Sequence, residues 1–276
     1  QEVVWGGGYR FIYDTIDSYL IAYVPDREQS YDLISAFVQD DISLFSDRLH
    51  LLLGAQAEKN AFTGWDYQPT IRGFWQVNDA NALWAAVSKA IRSVSRIEQG
   101  ASLTYAIPNL TMPMVMVATQ GPEFNPEKMT AYEMGHRAWA GSNVTLDSTI
   151  FFHDYSDLRG SVNEEPYFDM TKGRMVIPYH AINALEANVY GLEEAVDWKP
   201  SKSLRFRIAY TLRKMNLDYQ GDLTDQGLTG GPDYEKKKDP EHTLSLLAYM
   251  DVTERVKLDL WGRYVSKLPA LDVDAY

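Results

Sequence analysis

The sequence predicts an all-β protein, and three observations predict it. Apolar and polar side chains alternate along stretches of roughly ten residues, which is the two-residue period of a β-strand. The pattern recurs about eleven times along the chain, each time closed by turn-forming residues. The connections between the stretches are alternately short and long, as expected for antiparallel strands whose turns differ at the two ends of the sheet.

The alternation separates an apolar face from a polar one. In the stretch that begins at residue 204, Leu204, Phe206 and Ile208 alternate with Arg205 and Arg207. Successive side chains of a strand point to opposite faces, so one face of this strand is apolar and the other is charged.

The same alternation predicts each strand in turn. In chain order the predicted strands cover residues 2–12, 32–44, 49–59, 67–77, 83–91, 130–139, 144–155, 188–198, 204–215, 243–252 and 256–264. Short connections rich in Asp, Asn, Ser, Gly and Pro predict hairpin turns. These connections cover residues 45–48, 78–81, 140–143, 199–202 and 253–255. The longer connections are predicted at residues 13–30, 60–66, 92–129, 156–187 and 217–242.

These features favour a sheet that spans a membrane. No apolar run reaches the roughly 18 residues that a membrane-spanning helix needs, which excludes a helical membrane protein but not a β-barrel. Compact soluble domains rarely carry several long structureless loops. Aromatic residues recur near strand ends, and arginines on the polar faces could not be buried in a dry core without partners. The predicted fold is therefore an antiparallel transmembrane β-barrel.

Composition excludes several functions. The chain has no cysteine and five scattered histidines, and it contains no catalytic or nucleotide-binding motif, so we expect no enzyme, cofactor or metal site. A net charge of −12 argues against binding to nucleic acid. The three lysines at 236–238 are flanked by acids and predict a solvated loop. Met112, Met114 and Met116 could suit copper, but a short apolar β segment at 110–117 is favoured.

Four stretches of sequence support a family. They are SAFVQDDI at 35–42, LWAAVSKAIR at 83–92, EKMTAYEMG at 127–135 and YGLE at 190–193, the last followed by Asp197 and Trp198. In this order and on the predicted strands, the strings resemble the barrel of TonB-dependent outer-membrane receptors. The resemblance implies a barrel of about 22 strands with an N-terminal plug folded inside.

An odd number of strands also indicates a part of a larger barrel, because an open sheet in lipid would leave two unpaired edges. Residues 1–276 are therefore expected to form one partial barrel domain, from about the ninth to the nineteenth strand of such a receptor. The plug, the TonB box and the last strands are expected outside this sequence. The implied location is the bacterial outer membrane, in contact with its lipid.

The resemblance implies a receptor that captures a scarce solute, most simply a ferric siderophore, and imports it with energy from the TonB–ExbB–ExbD complex acting on the plug. A monomer is expected when the chain is full length. Ligand contacts should come from loop aromatics and cations near the outer mouth. The candidates are Trp65, Tyr67, Arg92, Arg96, Tyr155 and Arg159. Packing in an aromatic girdle or in loop structure is the alternative for each of them.

Other classes stay open at this point. A passive porin or structural barrel would share the alternation and the loop asymmetry, and a secreted soluble β protein would share the strands alone. Dependence on detergent separates the soluble class, and spontaneous conductance separates a porin from a receptor. Within the receptor class, haem, cobalamin or a carbohydrate are alternative substrates.

Overall fold

The computed structural model describes residues 1–17, 22–23, 26–96, 98, 102–106, 114–120, 124–163, 165–221, 232 and 236–276. The strands, in chain order, are β1 (Glu2–Thr15), β2 (Ala22–Tyr23), β3 (Glu28–Leu44), β4 (Leu49–Asn60), β5 (Gly64–Asn78), β6 (Asn81–Arg92), β7 (Ser102–Ala106), β8 (Met114–Gln120), β9 (Glu127–Ala140), β10 (Val144–Asn163), β11 (Tyr167–Asp169), β12 (Arg174–Ser201), β13 (Leu204–Tyr219), β14 (His242–Asp251) and β15 (Lys257–Val265). Two short 3-10 helices cover Lys236–Lys238 and Pro269–Leu271.

Eleven of the strands form one continuous antiparallel path, as predicted. The order is β1-β3-β4-β5-β6-β9-β10-β12-β13-β14-β15, so each strand pairs with the next predicted strand along the chain. On this path, within the described residues, β1 and β15 have one neighbour each, and the sheet is an open arc. No helix in the described part of the chain has the length and apolarity needed to cross a membrane.

The strand register gathers apolar side chains on one face of the arc. Ile71, Val87, Tyr132, Phe152 and Tyr190 are aligned across five neighbouring strands. All five are between 39% and 55% exposed. Large apolar side chains in a continuous exposed band would be unfavourable in water, and their natural environment is hydrocarbon. This face is the outer, lipid-facing surface.

The opposite face is polar. One step along the same strands, Arg72, Ala86, Glu133, Phe151 and Gly191 form a second aligned row, and Gly191 pairs with Arg213 of β13. Charged groups cost several kcal/mol when buried in hydrocarbon, of the order of 2–4 for Arg or Lys at the midplane of a barrel. The charged face therefore lines the lumen, as the alternation predicted.

Two connections differ from the predicted lengths. The connection predicted at 60–66 is a three-residue turn at 61–63, because β4 and β5 both extend. The Asn60 side chain accepts a hydrogen bond from the Phe62 amide at 2.8 Å, and Gly64 takes the left-handed conformation that closes the turn. The loop predicted at 156–187 is largely strand, since β10, β11 and β12 continue pairing above the apolar band.

The long connections share an additional sheet at the same end of the arc. β8 pairs in parallel with β12, β7 pairs with β8, and β2 pairs with β7. Three connections far apart in the sequence thus meet above one end of the lumen. Short turns lie at the other end, which is the periplasmic end in barrels of this kind. β8 confirms the apolar β segment for Met114–Val117, and Met112 lies outside the described residues.

The best buried cluster lies where β10, β12 and β13 leave the apolar band. Ala184, Leu185, Ala187 and Leu217 are each at most 7% exposed and pack with Tyr155. These side chains hold the three strands together beside the site described below, and Tyr155 and Ala187 also line it.

We expect a lysine on the outer face to disturb the barrel far more than a lysine on the luminal face. Ile150 is 58% exposed on the outer face of β10, and its neighbour Thr149 points into the lumen. In the full-length protein folded in lipid vesicles, Ile150→Lys should lower the free energy of unfolding by about 2–4 kcal/mol. Thr149→Lys is the matched control and should change it by less than about 1 kcal/mol. Urea titration measures both, and equal effects would contradict the assignment of faces.

A glycine supplies a second test. Gly135 of β9 lies opposite Trp84 of β6, and a Cβ at position 135 would collide with the indole ring. Gly135→Ala should therefore destabilise the folded barrel by about 1–3 kcal/mol, as overpacking does. Gly73 has open space around the corresponding Cβ position, so Gly73→Ala should be neutral or slightly stabilising. The midpoint of urea unfolding of the full-length protein would decide; a neutral Gly135→Ala would overturn the pairing.

Candidate functional site

A cavity of about 570 Å³ lies on the luminal face of the arc. β9, β10, β12, β13 and β14 form its wall, and Pro240 and Glu241, just before β14, close one side. The cavity reaches the ends of the strands that carry the long connections, because Tyr155 and Leu158 of β10 line it there. Its volume falls in the range of about 300–1,000 Å³ that is usual for small-molecule sites.

An irregularity in β10 shapes the upper part of the cavity. Tyr155 pairs with Ala187 and Leu158 pairs with Leu185, so β10 holds one more residue than β12 between these two pairs. This is a β-bulge, which bends a strand and changes the direction of its side chains. In a regular strand Tyr155 and Leu158 would face opposite sides, but here both line the cavity.

Hydrogen bonds hold the bulge in place. Asp157, inside it, has a positive φ of 57°, and its carboxylate pairs with Lys128 Nζ at 2.7 Å and accepts from Gln220 Nε2 at 3.2 Å. The Asp157 backbone N–H donates in turn to Gln220 Oε1 at 3.2 Å. A non-glycine residue with positive φ is unfavourable unless its surroundings compensate, and these contacts do so.

Aromatic rings run along β10 into the cavity. Phe151, His153 and Tyr155 alternate onto the luminal face, with centroid distances of 5.0 Å between Phe151 and His153 and 6.3 Å between His153 and Tyr155. Val189 and Met215 add apolar surface from β12 and β13. The cavity therefore offers a ladder of rings suited to a flat or apolar part of a ligand.

Carboxylates dominate the charge of the cavity. Glu133, Glu193 and Glu241 line it together with one arginine, Arg213. Glu133 lies 3.6 Å from Nε2 of His153, while Arg213 is paired with Asp239, outside the lining, at 2.9 Å. Among the described residues, no three His, Asp or Glu side chains are grouped so that they could hold a metal ion.

A second charged cluster lies at the rim, where β6, β9 and β10 end. Arg92 pairs with Glu127 at 2.7 Å and with Glu98 at 2.8 Å, and Arg159 pairs with the same Glu98 oxygen at 2.7 Å. The Arg159 amide also donates to Glu127 at 3.0 Å. The cluster joins the first residues of the long connection after β6 to β9 and β10.

Glu98 is fixed by a capping box as well as by the arginines. Its carboxylate accepts from the Ser95 amide at 2.9 Å, and its own amide donates to Ser95 Oγ at 3.4 Å. Burial raises the pKa of the Glu98 carboxyl, but hydrogen bonds from Ser95 and Arg92 outweigh this effect and hold the pKa below its ordinary value.

The structure separates the six predicted site residues into three groups. Tyr155 lines the cavity, and Arg92 and Arg159 meet in the rim cluster. Arg96 is only 5% exposed, paired with Asp14 at the end of β1 and bonded to the Asp26 carbonyl, so it joins two long connections. Trp65 and Tyr67 are 52% and 62% exposed on the outer face, in register with Lys59 and Ala57. Whether any of the six contacts ligand stays a prediction.

Several residues of the cavity were missed by the sequence analysis. Glu133 and Glu193 lie within two of the family strings, at strand positions that point into the lumen. The alternation of apolar and polar residues along these strands could have indicated both of them. The Ser95–Glu98 spacing of a capping box was a signal for the rim cluster. No sequence signal places Glu241 in the cavity, because a return of the chain from a long connection brings it there.

The chain is similar to known proteins in both sequence and fold. A sequence model described as TonB dependent receptor-like, beta-barrel matches residues 2–275. The chain belongs to this family. The barrel accordingly resides in the bacterial outer membrane, and the family consists of transport receptors rather than enzymes. No curated protein sequence matches the chain.

Solved structures agree on the fold of this receptor barrel. The siderophore receptor PirA from Pseudomonas aeruginosa superimposes with a TM-score of 0.73 at 14% identity, over 96% of this chain and 44% of PirA. PirA from Acinetobacter baumannii superimposes with a TM-score of 0.65 at 15% identity, over 96% of this chain and 42% of that PirA. A mutant of the ferric enterobactin receptor PfeA from Pseudomonas aeruginosa superimposes with a TM-score of 0.70 at 14% identity, over 96% of this chain and 38% of PfeA. The receptor barrel thus spans less than half the length of these structures.

Acidification should release the rim cluster only at a pH below the ordinary carboxyl range. A group whose pKa is lowered in the folded protein stabilises above its unfolded pKa, and this contribution is lost as the pH falls through the folded pKa. Residues 1–276 contain no cysteine, so in a full-length receptor whose single cysteine is the one introduced by Ser93→Cys a spin label reports on this segment alone. The label should gain mobility below the ordinary pKa of glutamate, and Glu98→Gln should make it mobile at neutral pH.

A label at Ser203→Cys, in the short turn between β12 and β13, is the control and should not respond to either change. Mobility at Ser93 that is the same with and without Glu98 would contradict the anchoring role of the cluster.

Proposed function

We propose that this chain is part of an outer-membrane receptor that binds a ferric siderophore outside the cell and imports it into the periplasm with energy from TonB. The observation that carries the proposal is the cavity on the luminal wall, open toward the long connections, in a barrel of the TonB-dependent receptor family. PirA and PfeA, which share the fold, are named as receptors for siderophores and for ferric enterobactin.

The architecture supports capture rather than passive flow. Strands from three connections gather above one end of the lumen, and the rim cluster ties the connection that carries β7 and β8 to the wall at β9 and β10. A solute that is too dilute for diffusion through a pore needs a binding site of this kind on the outside. We propose that TonB–ExbB–ExbD acts through a plug domain of the full-length protein, which functions as a monomer, and that no covalent chemistry takes place.

Roles for the predicted site residues follow from their positions. We propose that Tyr155 contacts the ligand in the cavity and that Arg92 and Arg159 shape its entrance. For Arg96 we propose a structural role, because its guanidinium is buried against Asp14. Trp65 and Tyr67 suit the lipid interface better than a ligand, since tyrosine and tryptophan are enriched there.

The proposal is tested by iron uptake in cells that produce the full-length receptor. Deletion of the gene should slow growth under iron limitation and reduce uptake of radioactive iron supplied as siderophore chelates, and removal of TonB should have the same effect. Tyr155→Ala should weaken binding of the transported chelate about tenfold, as loss of a stacked aromatic ring does. Trp65→Ala, on the outer face, is the control and should leave binding unchanged.

Unaffected growth and uptake would refute the siderophore assignment. Haem, cobalamin and oligosaccharide are then tested in the same cells. A large spontaneous conductance of the full-length protein in planar bilayers would instead support a passive porin.

A further inference from the structure

The charges in the cavity have a definite sign. Three carboxylates line it, those of Glu133, Glu193 and Glu241, against one guanidinium, that of Arg213. The guanidinium is neutralised by Asp239 at 2.9 Å. Glu193 and Glu241 are exposed and form no ion pair with any described residue. A ligand in the cavity therefore meets unpaired negative charge.

We infer that the ferric chelate bound by this receptor is neutral or cationic, and that trianionic chelates are rejected. The inference rests on the proposed function, because it names the charge class of the ligand for the same cavity. It differs from the sequence-based expectation that cations near the outer mouth contact the ligand.

The cations at the entrance do not change this balance. Arg92 and Arg159 share Glu98, and Arg92 also pairs with Glu127. Lys128 is likewise paired with Asp157 at 2.7 Å. Each of these three cations is thus matched by a carboxylate. Lys236–Lys238 shortly precede Glu241 in the chain, but none of them lines the cavity. An anionic ligand could recruit one of these cations only by breaking its existing ion pair, which would expose another carboxylate to the ligand.

More distant cations lie off the cavity. Arg72 belongs to the same luminal row as Glu133, but it lies on β5, two strands away from β9, and it is not among the residues that line the cavity. Lys214, next to Arg213 in the chain, has the opposite strand parity and points to the outer face with Tyr190.

The rest of the long connections can add only negative charge. Outside the described residues the sequence contains no Lys, Arg or His. It contains six acids there, namely Glu123, Glu164, Asp222, Asp225, Asp233 and Glu235. Wherever these side chains lie, they cannot neutralise the carboxylates of the cavity. Within residues 1–276, the undescribed positions therefore add only to the negative charge that the cavity already carries.

The remaining walls suit a cation that also carries apolar surface. Phe151 and Tyr155 line the cavity with aromatic rings, a type of group that attracts cations, and Val189 and Met215 contribute apolar surface. A chelate whose iron is wrapped by hydroxamate groups and whose tail ends in an ammonium fits this combination. The same chelate with an uncharged tail would keep the apolar contacts and lose only the attraction between charges.

Three chelates test the inference in cells that carry the full-length receptor and no other siderophore receptor. They are the ferric complex of a linear trihydroxamate with a free amine, the same complex with the amine acetylated, and trianionic ferric enterobactin. The cationic complex should bind most tightly, the acetylated complex about three- to tenfold more weakly, and enterobactin not measurably.

Matched variants assign the effect to the cavity. Glu193→Gln and Glu241→Gln should each weaken binding of the cationic complex about three- to tenfold without changing that of the acetylated complex. Glu186→Gln, on the outer face of the same strand as Glu193, is the control and should leave both unchanged. Surface levels and heat-modifiable mobility in gels show that each variant is folded.

The outcomes separate this inference from the proposed function. Tighter binding of enterobactin than of the cationic complex, or insensitivity to both glutamine variants, would overturn the inference while leaving a siderophore receptor. TonB-independent uptake, or no uptake of any ferric chelate, would overturn the proposed function and the inference with it.

Discussion

The hydrogen-bonding needs of the backbone in hydrocarbon determine the rest of this structure. An unpaired N–H or C=O group in the bilayer costs several kcal/mol, so every strand on the path must pair along its length with both neighbours. Pairing across eleven strands fixes the register, and the register fixes which side chains share a face. The separation of the apolar outer face from the charged lumen is thus a consequence of strand pairing.

The candidate site exists where that regularity ends. As β10 rises out of the apolar band, water becomes available to unpaired groups and a bulge at Asp157 is tolerated. The extra residue brings Tyr155 and Leu158 onto one face, and Lys128 and Gln220 satisfy the Asp157 carboxylate. Below this point the hydrocarbon requires regular strand pairing. Above it, water allows the irregular pairing that shapes the cavity.

The sequence predicted most of the fold because its signals are local. Alternation and turn residues placed all eleven strands of the path. Trp65 falls in a predicted connection, and the structure places it in β5 on the outer face with Ile71. Long-range contacts accounted for what was missed. The upper half of β12 is ordered by pairing with β8, Arg96 is buried by Asp14, and Glu241 reaches the cavity through a connection that returns to the wall. None of these contacts produces a repeating pattern of apolar and polar residues in the sequence.

The length of β12 carries part of the barrel wall beyond the lipid. The strand runs from Arg174 to Ser201, and its outer face changes from apolar to polar above Tyr190, at Asn188 and Glu186. About half of the strand, some 45 Å of extended chain, therefore stands clear of the lipid. Such a projection carries the pairing of β12 with β8 beyond the hydrocarbon and into water.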